Sequence, residues 1–348
     1  MKYALTLVAV ALATASCSIL DSDAPAEITV LTYNVQNLFD DVDDGTEYRD
    51  YDPGVGTWTT QQYHRKLASI ARVIMSSTPN GPTILALQEV ENVAALTALA
   101  ETYLQEGQYR EAVLVPTPGS AVNTAVLSRL PITTVRSHAV SVLGYDHPLR
   151  DVLEVWIDLG DSELALFVNH WKSRSGGTEE TAPMRRAAAR VVRGRVSRLA
   201  LTHPAVDVLV AGDLNIGLDA ATVAAGGYSV ALGPAGEAAD TSILQFTLDP
   251  GTAVAGLEAV VLFSPWDLAA VPGSYVYRES WEAIDHFLLG PGLVDDAGWV
   301  FAGFEVVREP FMITNAGAPR RWIDDSGYSD HFPLLLPLAP AGTILNAD

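Results

Sequence analysis

The sequence predicts an α/β sandwich of sheets whose connecting loops gather at one end. β-prone apolar runs recur along the chain and are separated by only a few stretches of helical spacing, the pattern of packed sheets and helices rather than of a bundle. Most of these runs stop at a polar residue, so their ends are suited to a shared site. The 348 residues are 49% hydrophobic and 18% charged, with no repeat and no interdomain linker, enough for one sizeable core.

Taken in order, residues 28–33 form a buried strand by length and composition. A loop rich in Asp and Gly runs from Phe39 to Thr60. Residues 61–75 have helical spacing, with Leu67, Ile70, Val73 and Ile74 on one side. A second strand, Thr83 to Leu87, leads into Gln88-Glu89, and residues 92–104 are helical again. Strands follow at 112–115, 124–128, 152–158 and 164–168, the last ending at Asn169-His170. Residues 183–201 are an arginine-rich helix with Pro183 near its start. Residues 206–210 form a strand ending at Gly212-Asp213; 217–257 is Ala/Gly-rich and weakly patterned; 284–289 and 333–336 are the last strands.

The N-terminus reads as a targeting segment. Lys2 precedes an apolar run over residues 3–15, too short to span a bilayer, which needs about 20 residues. The only cysteine, Cys17, follows Thr14-Ala15-Ser16, similar to a bacterial lipoprotein cleavage box, with Thr14 where such boxes usually carry Leu. The expected organisation is a signal peptide at 1–16, a lipidated Cys17 and tether at 17–27, and one domain at 28–340. Such a protein would be a monomer anchored in the bacterial cell envelope through its lipid, or secreted if Cys17 is unmodified. A lone cysteine provides no intramolecular disulfide. The net charge of −21 excludes nucleic-acid binding through a general basic surface. It leaves phosphoester hydrolysis open, because a bound divalent ion can supply positive charge where the phosphate sits.

Polar clusters follow strands at Asn34, Gln88-Glu89, Asn169-His170, Asp213-Leu214-Asn215 and Asp285-His286, and Ser329-Asp330-His331 precedes one. A single carboxylate at a strand end is usually a turn or cap residue; clusters at so many comparable positions converge in space. With Gly212 before Asp213, this order resembles the endonuclease/exonuclease/phosphatase superfamily from about Ile28 to Leu336. The segments from Tyr33 to Asp40 and from His170 to Ser173 look closest to its bacterial secreted nuclease-like members. The resemblance implies a four-layer α/β sandwich, two central mostly antiparallel sheets flanked by helices.

The chemistry of the residues agrees. Phosphodiester hydrolysis needs a nucleophilic water and neutralisation of charge on the phosphoryl oxygens. Glu89 is the candidate principal ligand of a hard divalent ion, Mg²⁺ first and Mn²⁺ or Ca²⁺ next, with Asn34 and Asp330 adding oxygens. His331 is the candidate general base or electrostatic partner of the phosphate, and Asp285 would hold its tautomer. Asp213 and Asn215 would position the attacking water and a non-bridging oxygen. By the resemblance, His170 falls where a second histidine contacts the phosphate or assists the leaving group. Lys172, Arg174 and Arg185 or Arg186 are candidate phosphate grips, with Arg150 as a further contact. The run Asp40 to Glu47 lacks the spacing of a Ca²⁺ loop with a terminal Glu and reads as a solvated acidic loop. Trp58 and Tyr63 read as core or rim aromatics, as does Trp281, which could instead wall a base-stacking site.

The leading expectation is an exported metal-dependent endonuclease with DNA or RNA as substrate. The alternative is a phospholipid or small phosphate-ester hydrolase of the same fold, and the third a non-catalytic surface lipoprotein. Val260 to Phe263, a faint candidate for a membrane-inserting hairpin, reads better as a strand.

Overall fold

The computed structural model describes residues 9–11, 27–218 and 242–343. Two mixed sheets face each other, with helices on their outer sides. The first sheet is built from β1 (Ala9–Ala11), β2 (Ile28–Leu38), β3 (Ile84–Val90), β4 (Glu111–Leu114), β5 (Asn123–Ser128), β16 (Trp299–Phe301), β17 (Glu305–Val306) and β18 (Leu334–Pro340). Its path is β1-β4-β5-β3-β2-β18-β16, with β17 also on β18. The second is built from β6 (Ile132–His138), β7 (Val152–Asp158), β8 (Glu163–His170), β9 (Asp207–Asp213), β10 (Gln245–Thr247), β11 (Val254–Ala255), β12 (Val260–Phe263) and β15 (Asp285–Leu289). Its path is β10-β12-β15-β9-β8-β7-β6, with β11 on β12. A separate hairpin pairs β13 (Tyr275–Tyr277) with β14 (Ser280–Glu282). Each large sheet is mainly antiparallel around a central parallel pair, β2 with β3 and β8 with β9.

These central strands are buried on both faces, which is why they read as unbroken apolar runs. α1 (Thr60–Ser76) lies on β2 and begins where the Thr59 hydroxyl accepts the Gln62 N–H. Its inner stripe buries Leu67, Ile70, Val73 and Ile74 completely, each contributing about 1.5–3 kcal/mol of apolar transfer. α2 (Val93–Ala98) continues as a π turn to Tyr103, so the predicted helix over 92–104 holds in two geometries. α3 (Thr178–Thr202) packs outside the second sheet and starts five residues earlier than predicted, placing Pro183 inside the helix. Val260 to Phe263 is a fully strand-like, buried element rather than an exposed hairpin. Periodicity missed β6, β13, β14, β16 and β17, which are short or only half-buried. Cys17 and most of the weakly patterned 217–257 region lie outside the described residues. Among the described residues, no helix is long and apolar enough to cross a membrane.

Candidate active site

Strand register brings the polar clusters together. In the second sheet His170 sits opposite Asp213, and Asp213 opposite Asp285, so three ionisable side chains form one row across β8, β9 and β15. Gly212 makes that row possible. Its φ is +126°, and a Cβ there would lie 2.0 Å from the Asn169 carbonyl oxygen. In the first sheet Asn34 pairs with Gln88, and the next residue, Glu89, sits at a bulge with φ +67°. A non-glycine residue held in that conformation re-aims its side chain out of the ladder, here into the cleft between the sheets.

The two sheets are joined by hydrogen bonds through the site. The Asn34 amide donates to Glu89 Oε1 (3.1 Å) and to Asp213 Oδ2 (3.2 Å), while its Oδ1 accepts the Gln36 N–H. Asn34 therefore stands here as a bridge between carboxylates, and its amide would have to turn over to offer oxygen to an ion. The Asn37 N–H donates to Glu89 Oε2 at 2.9 Å. His170 Nε2 lies 3.6 Å from Glu89 Oε1 and 3.7 Å from Asp213 Oδ2. The Asn215 N–H donates to Asp213 Oδ1, and its amide donates to the Trp171 carbonyl.

Ser329-Asp330-His331 enters from the loop before β18. The Ser329 hydroxyl donates to the Asn34 carbonyl (2.6 Å) and accepts the His331 N–H, which ties the motif to β2. His331 Nδ1 is 2.7 Å from Asp285 Oδ2, leaving Nε2 4.0 Å from both Asp213 Oδ2 and Asp330 Oδ1. The expected pairing of Asp285 with His331 is thus present in geometry.

Burial alone would favour neutral His331, but Asp285, through charge and hydrogen bond, and then Asp213 and Asp330 outweigh it and push the imidazole up to about 10. His170 goes the other way: burial, then Arg150 and His331, hold it well below its ordinary value. Burial and the Asp285 charge raise Asp213 to about 7, and burial with Asp330 raises Glu89. Carboxyl groups raised in this way are short of positive charge. Oxygen-rich donors of this kind suit a hard divalent ion: Asp213, Asp285 and His331 offer donors within 4.8 Å of one another, while the expected ligands Glu89 and Asp330 line the same cleft.

The cleft, about 670 Å³, is lined by these residues together with residues 173–178, Tyr275, Tyr277, Glu282 and Ile284. Not every predicted phosphate grip reaches it. Arg185 is 2% exposed and donates to the Lys172 and Thr178 carbonyls and the Thr181 hydroxyl, so it shapes the loop after β8 instead of gripping substrate. Arg150 donates to the His170 and Trp171 carbonyls from behind. Lys172 is half-buried beside Arg150 and Arg185 and is outside the cleft lining. Arg174 does line it, in an ion pair with Glu282. Trp281 stacks on Phe332 beneath Arg308, away from a base-stacking position. His286 faces the opposite side of β15 from Asp285, with Nε2 on the Ile216 carbonyl.

Several contributors escaped the sequence reading. The Ser274 hydroxyl donates to Asp285 Oδ2 at 2.5 Å, and the Tyr275 ring lies 4.7 Å from the His331 ring. Lys66 is fully buried in α1, with Nζ donating to the Tyr328 carbonyl just before the motif. A Ser-Tyr pair before a short hairpin gives no pattern signal; a lysine on the apolar stripe of a helix does.

The fold has solved relatives. A truncated Caenorhabditis elegans TDP2 is 15% identical with a TM-score of 0.52, the match covering 90% of this chain and 98% of that one. A functionally unknown conserved protein from Enterococcus faecalis V583 gives 15% and 0.53, covering 90% and 100%. A mannosyl-6-phosphatase of Bacteroides thetaiotaomicron gives 15% and 0.52, covering 89% and 99%. No curated protein sequence matches the chain. Residues 29–225, more than half of the chain, match the sequence pattern of the Endonuclease/Exonuclease/phosphatase family. Its members are divalent-metal-dependent phosphoester hydrolases. The match over residues 29–225, on a two-sheet sandwich with polar clusters at its strand ends, leads to one conclusion: the chain belongs to the endonuclease/exonuclease/phosphatase family.

Proposed function

We propose that the protein hydrolyses a small phosphate ester with the help of a divalent cation, Mg²⁺ first. One observation carries the choice of substrate. Among the described residues, Arg174 is the only Lys or Arg that lines the cleft, and it pairs with Glu282, while Arg185 and Arg150 are committed to backbone carbonyls, so the lining offers little to track a polyanion beyond one phosphate. The cation would supply positive charge at the phosphoryl oxygens. Asp285, itself held by Ser274, fixes the Nδ1 proton of His331 and leaves Nε2 facing the cleft. The surrounding carboxylates favour the imidazolium, which fits an electrostatic partner of the phosphate or a proton donor at Nε2. His170, kept neutral, can hydrogen-bond substrate without adding charge. Asp213 and Asn215 orient a water at the same point.

Cleavage of DNA or RNA is the second reading, and Tyr277 favours it. This side chain is 49% exposed on the cleft rim, where a base could stack. In either case the expected setting is the bacterial cell envelope, the chain acting as a monomer held by lipid on Cys17.

The purified protein should be incubated with sugar phosphates, inositol phosphates, sphingomyelin, single-stranded DNA, RNA and plasmid DNA, each with Mg²⁺ or a chelator. Turnover of a small ester that needs Mg²⁺ and is lost in His331→Ala supports the proposal. Nicking of plasmid with no turnover of any small ester overturns it in favour of the nuclease.

A further inference from the structure

The loop between β2 and α1 carries a second constellation of acids, apart from the catalytic row. Asp40 is 6% exposed and Glu91 4%, whereas Asp44 is exposed and Glu47 half-buried. One oxygen from each of Asp44, Glu47 and Glu91 lies within 4.8 Å of the other two. Among the described residues, no Lys, Arg or His side chain forms an ion pair with any of these carboxylates.

Acidic loops are common, and this convergence alone would mean little. Glu91 sets it apart. Its Oε2 accepts the Asp40 N–H at 2.7 Å, but its Oε1 is buried without a hydrogen-bond partner. A buried carboxylate oxygen left unsatisfied among like charges is costly, first for the missing partner and then for the repulsion. A cation removes both costs at once. We infer that Asp44, Glu47 and Glu91 form a calcium site distinct from the catalytic one.

Calcium fits better than magnesium. The donors are three carboxylates on two segments, one rigid at the end of β3 and two on a loop, and Ca²⁺ accepts irregular oxygen shells that water completes. Magnesium demands near-octahedral geometry and gives up water reluctantly. The position also gives the site a purpose. Glu91 is two residues beyond Glu89, and its N–H donates to the Leu38 carbonyl at the end of β2. Asp40 accepts from Asn92, the residue that caps α2. Within the same loop Tyr48 and Tyr51 pack on Phe39 beside the Asn37–Glu89 hydrogen bond. A cation joining Asp44 and Glu47 to Glu91 clamps this loop to the sheet next to the catalytic glutamate.

The test is calorimetric titration of the metal-stripped full chain with CaCl₂ alone, in three forms: unaltered, Glu89→Gln, and the double variant Asp44→Asn/Glu47→Gln. The altered loop residues are exposed or half-buried, so the double variant should fold, which circular dichroism checks. The expected result is one Ca²⁺ bound with Kd on the order of 10⁻⁴ M or tighter, retained in Glu89→Gln and weakened about tenfold or more in the double variant. Calcium should also protect the segment 41–57 of the unaltered chain from proteolysis. Absence of Ca²⁺ binding overturns the inference. So does binding that the double variant keeps, including binding lost only in Glu89→Gln, which would assign the ion to the catalytic cleft.

Discussion

Two clusters of acid and histidine, one on the second sheet and one in the cleft between the sheets, are built on opposite principles. On β7, Glu154 is fully buried and surrounded by positive or polar donors: Arg136, His138, both ends of the Arg195 guanidinium, and the Trp156 indole. In the cleft, Glu89, Asp213 and Asp285 accept from neutral amide, backbone or hydroxyl donors, and among the described residues two imidazoles, and no Lys or Arg, lie within ion-pair distance of these acids or of Asp330. Hydrogen bonds from His138, Arg195 and Trp156 outweigh burial and pull the Glu154 carboxyl far below its ordinary value. Burial and like charge push Glu89 and Asp213 up. The first cluster is satisfied within the protein and belongs to stability. The second has unmet demand for positive charge, which marks a candidate cation site rather than a stabilising ion-pair network.

The comparison breaks most sharply at His331. His331→Ala should lower kcat by about 10²–10⁴-fold, and Asp285→Asn by a comparable factor, while the folded fraction at assay temperature stays high enough that lost stability does not account for the loss. Steady-state kinetics on the cleaved ester, with a melting curve beside them, check both. A large loss of stability with intact turnover would place the pair with Glu154 instead.

At the other cluster, Glu154→Gln should cost about 3–5 kcal/mol, because it leaves Arg195 partly buried and unpaired. Denaturant unfolding measures it. The folded carboxyl lies below its ordinary value of 4.5, so its contribution is full above that value and lost as pH falls through the folded pKa. The unaltered protein should therefore weaken steadily in acid, and the variant should lack that part of the slope.

Lys66 tests the boundary between the two kinds of cluster. Burial lowers its ammonium from 10.5 to about 7, against the opposing charges of Asp330 and Glu89. A depressed folded value means stability that is full above pH 10.5 and lost as pH falls towards 7. Lys66→Met removes this dependence while leaving the Tyr328 carbonyl without its donor, so the net change at neutral pH should stay within about 2 kcal/mol. Melting temperatures from pH 7 to 10 would reveal the lost slope. A slope as steep in the variant as in the parent would assign it to another group.

The smallest effect is expected at the rim. The Arg174–Glu282 pair spans the mouth of the cleft with both side chains partly exposed, so it is worth at most about 1 kcal/mol. Arg174→Ala should move KM by less than about fivefold and leave kcat within the same range. A larger change confined to KM would mean that Arg174 leaves Glu282 to grip substrate, which initial-rate measurements would reveal.

Legibility followed the physics of each feature. Strands buried on both faces announce themselves as apolar runs, and β2, β3, β7, β8 and β9 were readable to within a few residues. The short edge elements and the β13–β14 hairpin carry no such run, so Ser274 and Tyr275 were invisible despite touching the Asp285–His331 pair. Arg185 misled for a related reason. An arginine near a histidine motif looks like a phosphate grip, and only the path of the loop after β8 reveals three protein acceptors around it. The acidic loop reads as solvated because its own spacing lacks a closing glutamate; only the fold brings the Glu91 carboxylate from the end of β3 to Asp44 and Glu47.

By itself, the sequence determined the family, the sandwich and the polar strand ends, because unbroken apolar runs and strand-terminal polarity are local properties written residue by residue. Tertiary structure alone decided which polar groups face one another. Cross-strand register set His170, Asp213 and Asp285 in a row, a left-handed bulge turned Glu89 into the cleft, Gly212 allowed β9 to approach β8 closely, and the loop before β18 brought His331 to Asp285. Charge balance depends on those distances, and distance between remote segments is what a chain acquires only by folding.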